Sequence, residues 1–344
     1  MTAAGRRRAL ICSAVAARVL LFCAGLAAPA QAAQSGSGSG DVATALSTTP
    51  TAPTAPPGWS ITVLPGARPG VQLLALKRPP RFAPLRYRVV VLPGSGCTGW
   101  APLAPRYFAA LLHAELWVLS KPGVDIQAGA AATCSDEFVR GDTLSSWRDH
   151  ARAALRAYEA DLVQRQSVPQ LLLGISEGAE LLPQLAPELS SLAALVMLSA
   201  AGLDPRETGA LQAQRLGQLP AWQALEDAQS SADEAGRVLQ GRTLGYWRDL
   251  WTWPLAQPLL DAPWPLLRVW GDADALVPRS AYQGYTQRAS ARAAGFCDLR
   301  LAAADHGLQS ARGDGIQWLW GRLENWARAP SRDFCAAVTQ GGER

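Results

Sequence analysis

Apolar residues along this chain fall into short uninterrupted runs separated by longer stretches in which they recur every three to four positions. The run Arg88-Val89-Val90-Val91-Leu92 is apolar at four successive positions, the mark of a strand buried on both faces. Similar runs predict strands at 61–64 and 71–76, around Pro65-Gly66, and at 86–92, 116–120, 171–173, 195–198, 266–270 and 299–301. Helical periodicity predicts helices over 103–113, 144–165, 179–189 and 310–327. Between 205 and 262 the strand signal lapses into sequence rich in Gln, Ala, Leu and Trp. Strands alternating with helices predict an α/β fold: a mostly parallel central sheet with helices on both faces. Function in such a sheet sits at the carboxyl ends of the strands.

The 344 residues fit one large α/β domain with appendages, and hydrophobic residues at 49% against 17% charged supply its core. The net charge of +4 changes meaning once the charges are located. Arg6, Arg7, Arg8 and Arg18 precede residue 34 and no Asp, Glu or Lys does, so the rest of the chain carries 28 basic and 28 acidic residues. That balance is no nucleic-acid footprint. Residues 1–33 read instead as a signal peptide: a basic start, an apolar run from Val19 to Ala28 too short to cross a bilayer, and small residues around Ala30-Gln31-Ala32. The expectation is an exported protein without stable membrane insertion. Residues 34–57, beginning Gln34-Ser35-Gly36-Ser37-Gly38 and ending Ala55-Pro56-Pro57, read as a disordered linker, and the folded domain is expected over 58–344.

Gly174-Ile175-Ser176-Glu177-Gly178 lies between a predicted strand and a predicted helix. A sharp turn there lifts a serine oxygen clear of the sheet and sets it at a helix N-terminus, where developing negative charge is favoured. Glu177 and Glu180 read as acids that suit a helix N-terminus. A serine nucleophile needs a base. His113 and His150 sit in or beside helices and read as surface or capping residues, whereas His306, in Ala304-Asp305-His306-Gly307, follows a strand. The acid comes from Gly271-Asp272-Ala273-Asp274, where Asp272 and Asp274 are both candidates, one to orient the histidine and one to cap the turn. Three scattered histidines and widely spaced cysteines form no metal-ligand cluster, so neither metal nor cofactor is expected.

The order Ser176, Asp, His306 resembles that of the α/β-hydrolase superfamily, over nearly the whole chain from Gly58 to the last helix. The resemblance implies a helical cap over about 205–262, inserted between the sixth and seventh strands. Its Trp222, Tyr246, Trp247, Trp251 and Trp253 would line an apolar acyl pocket or fix the cap to the sheet. The family's acid often stands in G-x-x-D followed by Val-Pro, which maps onto Gly271, Asp274, Val277 and Pro278 and so points to Asp274. Where the family usually has His-Gly after the third strand, this chain has Pro93-Gly94-Ser95-Gly96. The expected oxyanion donors are the backbone N–H of Ser95, with Gly96 as the alternative, and that of Glu177. The implied activity is hydrolysis of a carboxylic ester through an acyl-enzyme on Ser176, with peptidase-like amide hydrolysis as the alternative; a binding protein on the same fold fits the intact Ser, Asp and His less well. The partner is then a small-molecule ester or peptide.

Signal-peptide removal leaves Cys97, Cys134, Cys297 and Cys335, an even number that suggests two disulfides in an oxidising compartment. Counting alone allows three pairings. In the implied sheet Cys97 and Cys134 follow neighbouring parallel strands, while Cys297 and Cys335 lie at the opposite edge, so Cys97 is expected to pair with Cys134 and Cys297 with Cys335.

Overall fold

The strands assemble into one eight-stranded sheet whose order is not that of the chain. In the computed structural model, which describes residues 53–129, 132–330 and 333–340, its members are β1 (Ser60–Pro65), β2 (Gln72–Arg78), β3 (Tyr87–Leu92), β4 (Ala114–Leu119), β5 (Gln170–Ile175) and β6 (Leu192–Leu198). After β6, two short strands, β7 (Val238–Leu239) and β8 (Arg242–Thr243), pair as a separate ribbon. The main sheet resumes with β9 (Leu266–Gly271) and β10 (Phe296–Leu301), and a second ribbon joins β11 (Gln309–Ser310) to β12 (Gly313–Asp314). The spatial order is β1-β2-β4-β3-β5-β6-β9-β10. From β4 to β10 every pair is parallel, whereas β1 pairs β2 and β2 pairs β4 antiparallel.

Successive side chains on a strand point to opposite faces, so the apolar runs feed two cores at once. Val90, Leu92, Leu172, Leu195 and Met197 enter one. Val89, Val91, Leu171, Leu173 and Val196 enter the other. The helices, in chain order, are α1 (Ala104–Tyr107), α2 (Asp136–Gly141), α3 (Leu144–Leu162), α4 (Leu182–Leu185), α5 (Pro205–Arg215), α6 (Leu219–Gln229), α7 (Leu244–Trp251), α8 (Ala256–Asp261), α9 (Arg279–Ala289), α10 (Gly315–Trp326) and α11 (Phe334–Thr339). Helices α3 to α9 contribute to the first core, and α1, α10 and α11 to the second. Both faces of the sheet are therefore covered, as the parallel arrangement requires.

Three helices depart from the sequence expectation, each for a local physical reason. The helix expected over 103–113 stops at Tyr107, because donors from distant elements take the carbonyls a longer helix would use. Arg78 reaches the carbonyls of Phe108 and Leu111, Arg81 that of Ala109, and the Trp320 indole that of Tyr107. The helix expected over 179–189 is split into a 3-10 turn (Ser176–Leu181), α4 and a second 3-10 turn (Ala186–Glu188), since Pro183 and Pro187 lack the N–H a continuous ladder needs. The helix expected from 310 starts at Gly315, after the β11–β12 ribbon, with the Asp314 carboxylate accepting from the N–H groups of Ile316 and Gln317. Helix α11 is not expected from the sequence pattern.

The expected signal peptide, and the expected linker up to residue 52, lie outside the described residues. The last part of that linker lies against the fold: the Thr54 carbonyl accepts from the Gln127 side chain, and the Pro56 carbonyl from the Trp59 N–H.

Candidate active site

Strands β3, β5, β6, β9 and β10 run parallel side by side, so the loops at their carboxyl ends share one rim. Ser176 follows β5 at the centre of that rim, with backbone φ of +50°. A non-glycine residue in this region is strained, and such strain persists only where the surroundings enforce it. Here two close approaches do so. A Cβ at Gly174 would lie 2.4 Å from the Ala179 Cα, and one at Gly178 would lie 2.2 Å from the Leu92 carbonyl oxygen. Only glycine fits either place. Gly178→Ala is therefore expected to force β3 and the Ser176 turn apart and to lower the melting temperature by several degrees, a shift that differential scanning calorimetry would register.

Around Ser176 the structure assembles residues scattered over the second half of the chain. His306, in the loop after β10, places Nε2 3.2 Å from the Ser176 Oγ, and its Nδ1 lies 2.9 Å from the Asp274 Oδ2. The His306 side chain is 24% exposed and that of Asp274 only 2%, so the imidazole can be reached from solvent and the acid cannot. Burial alone would push the Asp274 carboxyl up. The hydrogen bond and charge of His306, together with the N–H groups of Val277 and Leu276, outweigh it and hold the group below its ordinary value. Asp272 is engaged elsewhere, where its Oδ1 accepts from the Ala303 N–H and ties the turn after β9 to the one after β10.

Two further residues support this line and had no signal in the sequence. The Tyr282 hydroxyl donates to the Asp274 Oδ2 at 2.8 Å, and its ring stacks on Trp270, with centroids 4.4 Å apart. Ser199, at the end of β6 with φ of +54°, donates its hydroxyl to the His306 carbonyl at 2.6 Å. The other two histidines are remote and structural. His113 is bound to Glu324, and His150, expected to be a surface or capping residue, is buried, with Nδ1 accepting from the Ala67 N–H.

The loop after β3 passes directly beside the serine: a Cβ at Gly94 would stand 3.6 Å from the Ser176 Cβ, and Gly96 has φ of +84°. Cys97, just beyond, has its sulfur 2.06 Å from that of Cys134. At the far edge of the sheet the sulfurs of Cys297, within β10, and Cys335, in α11, are 2.14 Å apart.

The carboxylate next to Ser176 is not a solvated helix-start acid. Glu177 is buried and contacts the Lys121 ammonium through Oε1, while its Oε2 accepts from the Tyr246 hydroxyl at 2.8 Å and faces Arg242. Lys121 and Arg242 are in turn shared with Asp142, which lies 3.1 Å from the Lys121 Nζ. Burial would raise the Glu177 carboxyl, but these two cations and the Lys121 and Tyr246 hydrogen bonds bring it below its ordinary value.

Ser176 opens onto a cavity of about 60 Å³. Its apolar walls include Leu203, Leu250, Leu255 and Val277, with Trp222 and Trp247 from the segment between β6 and β9. Of the aromatic residues expected around such a pocket, Tyr246 is a third that lines it. Trp251 stands behind, stacked on Trp222, and the Trp253 indole donates to the Glu180 carbonyl. Among the described residues no group of His, Cys, Asp and Glu is placed to hold a metal ion.

No protein-family model and no curated protein matches this sequence. Solved structures do match its fold. Est1E from Butyrivibrio proteoclasticus, with ferulic acid bound, is 14% identical and superimposes with a TM-score of 0.52 over 77% of this chain and 97% of its own. A putative hydrolase from Agrobacterium vitis is 18% identical, with a TM-score of 0.50 over 77% of this chain and 98% of its own. A Staphylococcus aureus protein of unknown function is 14% identical, with a TM-score of 0.52 over 78% and 98%. The chain has the α/β-hydrolase fold.

Proposed function

We propose that this protein is an exported serine hydrolase that cleaves carboxylic esters of short acyl chains through an acyl-enzyme on Ser176. The observation that carries this reading is the unbroken line from the Ser176 Oγ to the His306 Nε2, at 3.2 Å, and from the Nδ1 to the Asp274 Oδ2, at 2.9 Å, at the mouth of an apolar cavity. The Ser176 oxygen attacks the ester carbonyl as its proton passes to the His306 Nε2. Asp274 keeps the proton of the imidazole on Nδ1 and stabilises the cation formed when Nε2 is protonated. The oxyanion accepts hydrogen bonds from the backbone N–H of Glu177 and from that of Ser95 or Gly96, each donor contributing about 3–4 kcal/mol to the transition state. The carbon–oxygen bond to the alcohol then breaks, and the alcohol leaves with the proton from Nε2. Water repeats the sequence: it attacks the acyl-enzyme, gives a proton to Nε2, and the acid departs as Ser176 recovers its own.

The segment 205–262 acts as the cap. Trp222, Tyr246 and Trp247 bring three of its aromatic side chains to the cavity wall, and Gln212 and Arg215 hold it to the acid loop through the Ala275 carbonyl. A cavity of about 60 Å³ has room for several water-sized groups, which suits a short acyl chain. The deciding experiment pairs p-nitrophenyl butanoate with alanine p-nitroanilide, alongside fluorophosphonate labelling. Ester turnover with labelling at Ser176 is expected. Faster anilide turnover would make the protein a peptidase, and labelling absent from Ser176 would dismiss the serine mechanism.

Two cysteine pairs at bonding distance support an oxidising compartment, and among the described residues no helix is long and apolar enough to cross a membrane. N-terminal sequencing of exported protein is expected to begin near Ala33 or Gln34. The two bridges differ in function. Each closes a loop of similar length, 37 or 38 positions, for which chain entropy gives about 4 kcal/mol. Cys97 adjoins the Ser95-Gly96 loop, so Cys97→Ser is expected to lower kcat, measured well below the melting temperature, in addition to stability. Cys297→Ser should lower the melting temperature alone.

A further inference from the structure

Glu180 stands three residues after Glu177 in the 3-10 turn Ser176–Leu181, a spacing at which 3-10 side chains eclipse. Both line the cavity beside Ser176. Their surroundings differ. Glu177 is held by Lys121, Tyr246 and Arg242, whereas the Glu180 carboxyl has no hydrogen bond or ion pair among the described residues, and its Oε2 is closed off from solvent. A carboxyl oxygen closed off from solvent with no partner is costly and rare in folded proteins, so its retention calls for an explanation. The neighbouring cations are already committed, because Lys121 and Arg242 balance Glu177 and Asp142 one for one.

We propose that Glu180 selects the substrate: its carboxyl hydrogen-bonds an oxygen atom, hydroxyl or carbonyl, carried on the acyl chain a few bonds from the scissile carbonyl. The inference rests on the ester-hydrolase reading and adds to it the class of acyl group. Glu180 is four residues past the nucleophile, on the order of 8 Å along a 3-10 turn, which matches the reach of a short chain from Ser176. A plain alkyl chain would satisfy Leu250, Leu255 and Val277 and leave this carboxyl unpaired, while an oxygen-bearing chain satisfies both. Protonation agrees with this role. Burial first, and the Glu177 carboxylate second, raise the Glu180 carboxyl well above its ordinary value against the pull of Lys121, which favours the protonated form with its one O–H to donate. The charged or titratable groups around it are Glu177, Lys121, Arg242, Asp142 and Tyr246, with His306 across Ser176.

The test compares kcat/KM for p-nitrophenyl pentanoate and p-nitrophenyl 4-oxopentanoate, whose added oxygen can only accept a hydrogen bond. The parent enzyme is expected to favour the oxo ester by roughly tenfold, the value of one added hydrogen bond. Glu180→Gln keeps a donor and should keep most of that preference, while Glu180→Leu should abolish or invert it. Fluorophosphonate labelling of Ser176 in each variant confirms an assembled site. The preference of the parent should fall as pH rises and the carboxyl ionises, and that of Glu180→Gln should not. An independent readout needs no substrate. A folded-state carboxyl with a raised pKa keeps a proton that the unfolded chain releases above about pH 4.3, so the parent loses stability as pH rises from there. Glu180→Gln should therefore melt higher than the parent at pH 7 and level with it near pH 4. Equal turnover of the two esters by the parent leaves the hydrolase reading standing and overturns the proposal. Turnover of neither overturns both. A preference for alanine p-nitroanilide that Glu180→Gln removes would make Glu180 an ionised anchor for an ammonium group, which also overturns it.

Discussion

Ser176→Ala is expected to lower kcat by on the order of a millionfold while leaving the melting temperature within a degree or two of the parent. Among the described residues the hydroxyl's hydrogen bond is to His306, at 3.2 Å, so its loss removes the proposed nucleophile without emptying the core. His306→Ala should cost a similar factor, and the double variant little more than either, because the two act as one unit. Asp274→Asn should cost roughly ten-thousandfold: an amide NH2 facing Nδ1 favours the tautomer with its proton on Nε2, which cannot accept the serine proton. Asp272→Asn is the control. Its Oδ1 serves the Ala303 N–H, which an amide oxygen can also do, and turnover should stay within about tenfold of the parent. Steady-state kinetics on p-nitrophenyl butanoate measure all five. Retained turnover in Asp274→Asn with loss in Asp272→Asn would transfer the role of the acid.

The largest expected loss of stability is at Lys121. Its ammonium is 2% exposed, bridges Glu177 and Asp142, and lies 4.6 Å from the centre of the Trp147 ring. Burial disfavours its charge, but the two carboxylates outweigh burial and hold its pKa above the ordinary value. Lys121→Met fills similar volume and removes the charge, leaving Arg242 to serve two buried carboxylates. The expected cost is about 3–5 kcal/mol by urea denaturation at pH 7. The pH dependence identifies the cause. In the parent, Glu177 has a lowered pKa, so it contributes stability above the unfolded value, about 4.3, that is lost as pH falls through its folded value. Without Lys121 that contribution is largely absent, so the deficit of the variant should be widest at neutral pH and narrow in acid. Lys121→Met/Glu177→Gln should recover part of the loss, because it removes the charge left without its main partner. A deficit under about 1 kcal/mol, or one independent of pH, would reduce Lys121 to a space-filling role. Turnover should fall as well, since Glu177 supplies a proposed oxyanion N–H and its side chain anchors that turn.

Much of this protein follows from local sequence. The run Val89-Val90-Val91-Leu92 makes a strand buried on both faces wherever it is placed, because no residue in it tolerates water on either side. The Gly174 to Gly178 turn is equally local, since the two glycines are demanded by backbone atoms within the same strand–turn unit or on the adjoining strand. Strand and helix alternation likewise implies a sheet covered on both faces. Other features depend on groups far apart in the chain, which no window of sequence contains. Residue type alone leaves Asp272 and Asp274 both open on one turn, the family pattern points to Asp274, and the crossing of the β10 loop is what gives Asp272 to Ala303 and Asp274 to His306. Leu103 to His113 has helical periodicity, yet Arg78 and Trp320 claim its carbonyls. Glu177 and Glu180 look alike as acids at the start of a helix. Folding brings Lys121, Arg242 and Tyr246 to the first, whereas among the described residues the Oε2 of the second has no hydrogen-bond partner, the two cations being engaged with Glu177 and Asp142.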